Sequence, residues 1–110
     1  MNNLIAARTR AVLTASATKI INIKKTTEYV AAGKSAVLIV TTSPDVSSIS
    51  IGGVTLKECQ GKLSVTDGGE QVKIWYLSFV MTTASETPYT YTVTAVGGTT
   101  VTETVEIRCK

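Results

Sequence analysis

Four acidic side chains are the residues best able to do acid-base chemistry in this sequence: Asp45, Asp67, Glu70 and Glu86. Two carboxylates can act as general acid and base, or give oxygen ligands to Ca²⁺. Each of the four, however, stands next to a proline, glycine or serine, as turn residues do. The chain also has no histidine, which excludes Ser-His and Cys-His nucleophile systems. We therefore predict turns here, no catalytic, cofactor or metal site, and a protein that is not an enzyme.

Three pairs of glycines mark sharp turns. The segment Asp67-Gly68-Gly69-Glu70 lacks the repeated acidic positions of a calcium loop and the Gly-Lys-Thr ending of a phosphate-binding loop. Gly52-Gly53 and Gly97-Gly98 each separate two runs of alternating apolar residues. Because glycine tolerates the positive φ angles of tight turns, we predict a β-hairpin at all three places.

Four aromatic residues could form a surface on which a sugar or a nucleic-acid base stacks: Trp75, Tyr76, Tyr89 and Tyr91. Aromatic faces bind ligands in this way. Aromatic residues are 5% of the chain, so few remain once a core is filled. Packing in the core is therefore the interpretation that we favour, and surface aromatics that bind glycan are the alternative.

Short β-strands are the elements that would position these residues. From Lys19 onward, apolar and polar residues alternate in short runs between turn residues, and no helical period occurs. Nineteen residues are Thr, a β-branched type that suits a half-solvated strand. A chain of 110 residues is long enough for one core and too short for two. We predict a single all-β domain over residues 19–110, an antiparallel sandwich of about seven strands.

The longest apolar run covers residues 72–81 and should cross the core. Strand alternation divides its residues between two faces: Trp75, Leu77 and Phe79 on one, and Ile74, Tyr76 and Ser78 on the other. Both faces are largely apolar. One should therefore pack the core, and the other should meet something else.

The last two strands form an alternating pair around a glycine turn. Residues 89–95 read Tyr-Thr-Tyr-Thr-Val-Thr-Ala, Gly97-Gly98 turns the chain, and residues 99–107 return as a strand rich in Thr and Val. In the return strand, alternation puts Glu103 on the same face as Val105. A bulge or an open edge must relieve this position.

This C-terminal arrangement resembles the end of the bacterial and phage immunoglobulin-like modules, including the polycystic-kidney-disease type. In those modules a Tyr-x-Tyr-x-Val-x-Ala strand, a glycine turn and a Thr/Val-rich strand complete the domain. The resemblance covers roughly residues 20–109 and implies an immunoglobulin-like β-sandwich. The chain departs from antibody domains in having no mid-strand cysteine pair, and in carrying its tryptophan, Trp75, on a late strand.

The two cysteines, Cys59 and Cys109, would close a long loop if they were paired, which is typically worth about 4 kcal/mol in the chain-entropy model. The bridge of antibody-type domains joins facing strands in the middle of the sandwich. Here Cys109 is the penultimate residue and Cys59 follows a predicted hairpin. Free thiols are the prediction that we favour, and a disulfide is the alternative.

Residues 1–18 form a basic extension, which we call the N-terminal arm. Residues 1–25 carry a charge of +5 and residues 26–110 a charge of −2. The arm belongs to no predicted strand and is either a frayed terminus or a segment that lies on a neighbouring protein. In the second case its partner-binding residues would be Leu4, Ile5, Arg8, Arg10 and Val12, with the arginines pairing to carboxylates or phosphates. The charge lacks the interleaved aromatics of a dedicated nucleic-acid site.

These observations favour a binding or assembly function. We expect a structural or decoration protein of a larger assembly, such as a capsid or tail accessory protein of a phage virion, made in the host cytoplasm. Its partners would be protein neighbours, either copies of itself or a capsid or tail protein. The alternative is an adhesive or carbohydrate-binding module of a bacterial surface or secreted protein. No stretch approaches the roughly 20 apolar residues of a membrane span.

Overall fold

The computed structural model describes residues 17–110, and every regular element in this range is a β-strand. The strands are β1 (Ile20–Lys25), β2 (Tyr29–Val30), β3 (Lys34–Thr42), β4 (Ser48–Ile51), β5 (Glu58–Val65), β6 (Gln71–Met81), β7 (Tyr89–Val96) and β8 (Thr100–Cys109). Between residues 17 and 110 there is no helix that could cross a membrane. The predicted all-β class is confirmed.

The strands form two four-stranded sheets. The first sheet has the order β1-β3-β6-β5, and the second has the order β2-β8-β7-β4. All neighbours pair antiparallel except β2, which pairs parallel with the end of β8. Without the short β2, the seven strands in chain order give A-B-E-D in one sheet and G-F-C in the other. This is the strand order of a constant-type immunoglobulin sandwich.

The core lies between the inner faces of the two sheets. The inner face of β3 contributes Ala36, Leu38 and Val40, and the inner face of β6 contributes Trp75, Leu77 and Phe79. From the second sheet come Ile49, Ile51, Val93, Ala95 and Ile107. The two faces predicted for residues 72–81 are confirmed, since the residues of one face are buried here.

The three predicted glycine turns have different outcomes. Gly68-Gly69 joins β5 to β6 as a hairpin, and Gly97-Gly98 joins β7 to β8. The hairpin predicted at Gly52-Gly53 is wrong, because β4 pairs with β7 while β5 pairs with β6 in the other sheet. Gly53 does have a positive φ of 82°, so the chain turns there as glycine allows. It then crosses between the sheets instead of returning along β4.

Glu103 is accommodated by an open edge. The β7–β8 ladder runs without a register shift and places Glu103 opposite the buried Val93. β2 covers β8 only at Arg108 and Cys109, so no strand in the described part of the chain lies beside the flank of β8 at Glu103. The carboxylate is exposed there. Of the two explanations that the sequence left open, the bulge is therefore excluded.

Tyr89 fastens the loop between β6 and β7. Its hydroxyl donates a hydrogen bond to the carbonyl oxygen of Thr83, six residues upstream, at 2.8 Å. A tyrosine at the start of strand F that bonds back to the upstream backbone is the tyrosine corner of immunoglobulin domains. This contact agrees with the strand order.

Asp45 joins three segments at one end of the sandwich. Its Oδ2 accepts hydrogen bonds from Thr18 Oγ1 at 2.5 Å and from Gly98 N at 2.9 Å. Thr99 N in turn donates to Thr18 Oγ1 at 2.9 Å. Burial alone would raise the pKa of Asp45, but hydrogen bonds from Ser43, Thr18 and Gly98 outweigh it and lower the pKa from 3.8 to about 2. The ionised carboxylate thus fixes the start of β1 beside the β7–β8 turn.

The Asp45 contacts predict a pH-dependent contribution to stability. Because the folded pKa lies below the unfolded value, the carboxylate stabilises the fold above about pH 4, and this is lost as the pH falls towards 2. Asp45→Asn should lower the free energy of unfolding at neutral pH by about 1 kcal/mol, with the shift discounted for solvent screening. Urea unfolding at neutral pH and at about pH 3 measures the difference, which should shrink at the lower pH.

The matched control for this change is Asp67→Asn, in the exposed β5–β6 turn. It should leave the unfolding free energy within the error of the measurement. An equal loss of stability for Asp45→Asn at both pH values would contradict the assignment.

Candidate interaction surface

The candidate carboxylates do not gather into one site. Among residues 17–110 there is no group of three or more Cys, Asp or Glu side chains that could hold a metal ion. Asp67 and Glu70 belong to the β5–β6 turn, where Thr66 N bonds Glu70 O at 2.9 Å and Glu70 N bonds Thr66 Oγ1 at 3.1 Å. Asp45 accepts hydrogen bonds from Thr18 and Gly98 beside the start of β1. Glu86 is exposed between β6 and β7. The turn interpretation of Asp67 and Glu70 is confirmed.

The four aromatic residues do not form one surface. Trp75 is 4% exposed, and its Nε1 donates to Thr42 Oγ1 at 3.0 Å, so it is not a surface aromatic. Tyr91 packs edge-on against Phe79, with ring centroids 5.1 Å apart, and stacks with Tyr89 at 6.2 Å. Burial raises the pKa of Tyr91. Core packing accounts for these three residues because strand alternation turns each of them inward.

Tyr76 points the other way and lies in an apolar stripe on the outer face of the first sheet. We call this the outer stripe, and its members are Val37, Ile39, Ile74, Tyr76 and Val80. Tyr76 is 55% exposed and Val80 is 43% exposed, while the other three are half-buried. The stripe runs along the two central strands, β3 and β6. Sequence alternation located it, since the second face of residues 72–81 is also apolar.

Polar and basic side chains flank the outer stripe. Lys24 lies opposite Ile39 on β1, and Gln60 and Lys62 lie opposite Tyr76 and Ile74 on β5. Between β5 and the stripe runs an open groove of about 650 Å³. The outer stripe is thus an apolar surface bordered by two lysines and a glutamine. Such a surface is suited to bind an apolar segment of another protein that has hydrogen-bonding groups at its edges.

The outer face of the second sheet has a different character. Its cross-strand pairs are hydroxyl-rich, with Thr92 opposite Thr104, Thr94 opposite Thr102, and Ser50 opposite Thr94. The exposed apolar residues on this face are Val96, at 39%, and Tyr29 on the edge strand β2, at 48%. The two outer surfaces are thus chemically distinct, and the apolar one is the candidate for a partner.

Residues 1–16 of the predicted arm lie outside the described residues. The candidate partner-binding residues Leu4, Ile5, Arg8, Arg10 and Val12 all fall within that range. Thr18, the last residue of the arm as predicted, is buried and bonded to Asp45. Thr18 is therefore held at a fixed point beside the β7–β8 turn.

The two cysteines are free thiols in different sheets. Cys59 lies on β5 in the first sheet and is exposed, while Cys109 ends β8 in the second sheet and is buried. The Cys59 thiol donates to the Ile49 carbonyl oxygen at 3.6 Å. This agrees with the favoured prediction of unpaired cysteines.

The separate thiols predict that the fold does not depend on oxidation. The melting temperature should be the same with and without a reductant, because no bridge is broken. In the native protein a thiol-specific reagent should modify Cys59, whereas Cys109 should react only after unfolding. Mass spectrometry after labelling, with Cys59→Ser as the control, checks both points. A fall in melting temperature on reduction would contradict the assignment.

The sequence matches no protein-family model and no curated protein. The resemblance to immunoglobulin-like modules therefore rests on the C-terminal hairpin and the strand order. The surfaces of this chain are assigned from their own geometry.

Proposed function

We propose that the protein is a non-enzymatic structural or decoration protein of a larger assembly, such as a capsid or tail accessory protein of a phage virion. The observation that carries this proposal is the outer stripe, an apolar surface that the core leaves uncovered. The phage setting comes from the resemblance to immunoglobulin-like modules that virions contain. In that setting the chain is made in the host cytoplasm and functions in the particle.

The outer stripe supports a docking function because its apolar residues are contiguous. Ile39 lies directly opposite Tyr76 across the β3–β6 ladder, Ile74 is diagonal to Ile39, and Val37 is diagonal to both Tyr76 and Val80, so the apolar residues occupy adjoining positions along the sheet. Single exposed apolar residues are ordinary, whereas contiguous apolar patches mark interaction sites. Burial of such a surface stabilises a complex by roughly 25 cal/mol per Å² before the costs of association.

The N-terminal arm is the second part of the proposed docking apparatus. Arg8 and Arg10 can form charge-assisted hydrogen bonds to carboxylates of a neighbour, and Leu4, Ile5 and Val12 can bury apolar surface. Thr18, the last residue of the arm, is bonded to Asp45 and to the backbone of Thr99. Contacts through the arm should weaken in salt, and contacts through the outer stripe should not.

A charge on the outer stripe tests the docking surface. Val80→Lys should weaken self-association of the purified protein about tenfold or more, because an interface would have to desolvate an unpaired ammonium group. Val96→Lys is the matched control, since Val96 has the same side chain and similar exposure on the opposite face. Sedimentation equilibrium measures both. Equal effects of the two variants would contradict docking through the stripe.

Deletion of residues 1–16 tests the arm and leaves Thr18 in place. The shortened chain should lose the salt-dependent part of association, with an unchanged circular-dichroism spectrum. Mass measurements by light scattering in low and high salt make the comparison. If the assembly persists unchanged at both salt concentrations, the arm has no docking function.

One observation favours the alternative function, an adhesive or carbohydrate-binding module. The groove beside Tyr76 combines an exposed aromatic ring with the polar side chains of Gln60 and Ser64, which is a combination that binds sugars. A protein that stays monomeric in the tests above, and binds a glycan array in a manner abolished by Tyr76→Ala, would establish this alternative and overturn the assembly function.

A further inference from the structure

Three of the four edge strands of this sandwich are protected against pairing with another chain. β1 has a register shift between Ile20 and Asn22 and carries Lys24 and Lys25. β2 has two residues and β4 has four. Bulges, edge lysines and short strands are the devices by which natural sheets prevent edge-to-edge contact.

The uncovered part of β8 is protected as well. It carries Glu103 and Glu106, and Lys25 Nζ donates to the Glu106 carbonyl oxygen at 2.9 Å. A second β8 brought alongside would add like charges to this edge. Such contacts disfavour pairing.

β5 carries one of these protections, Lys62, but it is neither short nor bulged. It is an eight-residue strand that pairs with β6 from Glu58 to Val65 without a register shift. Seven of its residues are exposed, and the exposed ones include Leu63 at 66% and Val65 at 60%. As the last strand of the first sheet, it has a flank of backbone donors and acceptors beside which no strand from residues 17–110 lies. A long edge without a register shift is a template for strand pairing.

The outward side chains of β5 are complementary to themselves. Glu58, Gln60 and Lys62 share the outer face, since they lie opposite Ser78, Tyr76 and Ile74. In an antiparallel pair related by a two-fold axis at Gln60, Glu58 of each copy lies directly opposite Lys62 of the other. Opposite charges in directly facing positions stabilise a strand pair, and a two-fold interface uses the same patch on both copies.

We propose that β5 is a self-association edge, on which a second copy of the chain docks its own β5 antiparallel around Gln60. The two first sheets then form one continuous sheet. This inference deepens the proposed assembly function and rests on it, but uses the β5 edge instead of the outer stripe or the arm. A second copy of the chain is the expected partner, because Glu58 and Lys62 on one β5 edge are opposite in charge to the Lys62 and Glu58 that would face them on another.

The register also follows from the charges. An axis at Lys62 would place the two ammonium groups opposite each other, which is unfavourable. An axis at Gly61 would place Gln60 opposite Lys62 and leave Glu58 without a facing cation. The axis at Gln60 forms two ion pairs and places the two glutamine amides face to face.

A charge swap tests the pairing. Lys62→Glu should raise the dimer dissociation constant about tenfold, because two carboxylates would then face each other on each side of the axis. The double variant Glu58→Lys with Lys62→Glu should restore dimerisation, since the exchange preserves the complementarity. Lys34→Glu alters the net charge equally on an interior strand and should have no effect. Sedimentation equilibrium measures dissociation constants, and circular dichroism verifies that each variant is folded.

A cysteine at the axis tests the register. Gln60→Cys in a Cys59→Ser background should give a disulfide-linked dimer under mild oxidation, because directly opposite residues of antiparallel strands lie within disulfide distance. Gly61 does not serve for this purpose, since a Cβ there would lie 2.9 Å from the Trp75 ring. Cys59→Ser alone, with no thiol on β5, is the control and should stay unlinked.

The outcomes separate this inference from the function on which it rests. If the charge variants leave association unchanged while Val80→Lys or the arm deletion removes it, the β5 interface is wrong and the assembly function stands. A wild-type chain that is monomeric at every concentration overturns the β5 interface. A double variant that stays as weak as Lys62→Glu also overturns it.

Discussion

The packing of β3 and β6 against the second sheet is the constraint on which the rest of the molecule depends. These two central strands pair over nine residues, and Ala36, Leu38 and Val40 of β3 are buried between the sheets opposite Phe79, Leu77 and Trp75 of β6. Burial of large apolar side chains contributes roughly 1.5–3 kcal/mol each and outweighs the other stabilising contacts described here. The indole N–H of Trp75 donates a hydrogen bond to Thr42. The largest side chain of the core therefore buries no unpaired hydrogen-bond donor.

This packing determines where the chain can interact with other molecules. Inner faces are filled, so a partner can contact only outer faces, edges and segments outside the sandwich. Tyr76 remains uncovered on the outer face of the first sheet, and Leu63 and Val65 remain uncovered on the opposite face of its edge strand β5. The second sheet presents threonine and serine hydroxyl groups to solvent, which water satisfies without cost. The two outer surfaces therefore differ in chemistry, the first having the apolar outer stripe and the second being rich in hydroxyl groups.

Much of this could be predicted from the sequence because strand alternation is local information. The two faces of residues 72–81, the turn at Asp67 and the position of Glu103 all follow from counting residues. The hairpin at Gly52-Gly53 was mispredicted because alternation on both sides of a glycine pair is the same for a hairpin and for a crossover between sheets. The contact between Thr18 and Asp45 spans 27 residues, and no local pattern contains it. The order of strands in a sheet is likewise not local information, so the edge position of β5 became evident only from the structure.

The bond between Thr18 and Asp45 has a mechanical consequence. Tension on the residues before Thr18 reaches this carboxylate and the backbone N–H of Gly98 before it reaches β1. A pull directed along the axis of β1 is then shared by the whole β1–β3 ladder, whose bonds are loaded together and not one after another. A force applied at Thr18 would therefore strain these hydrogen bonds before it strains the sandwich.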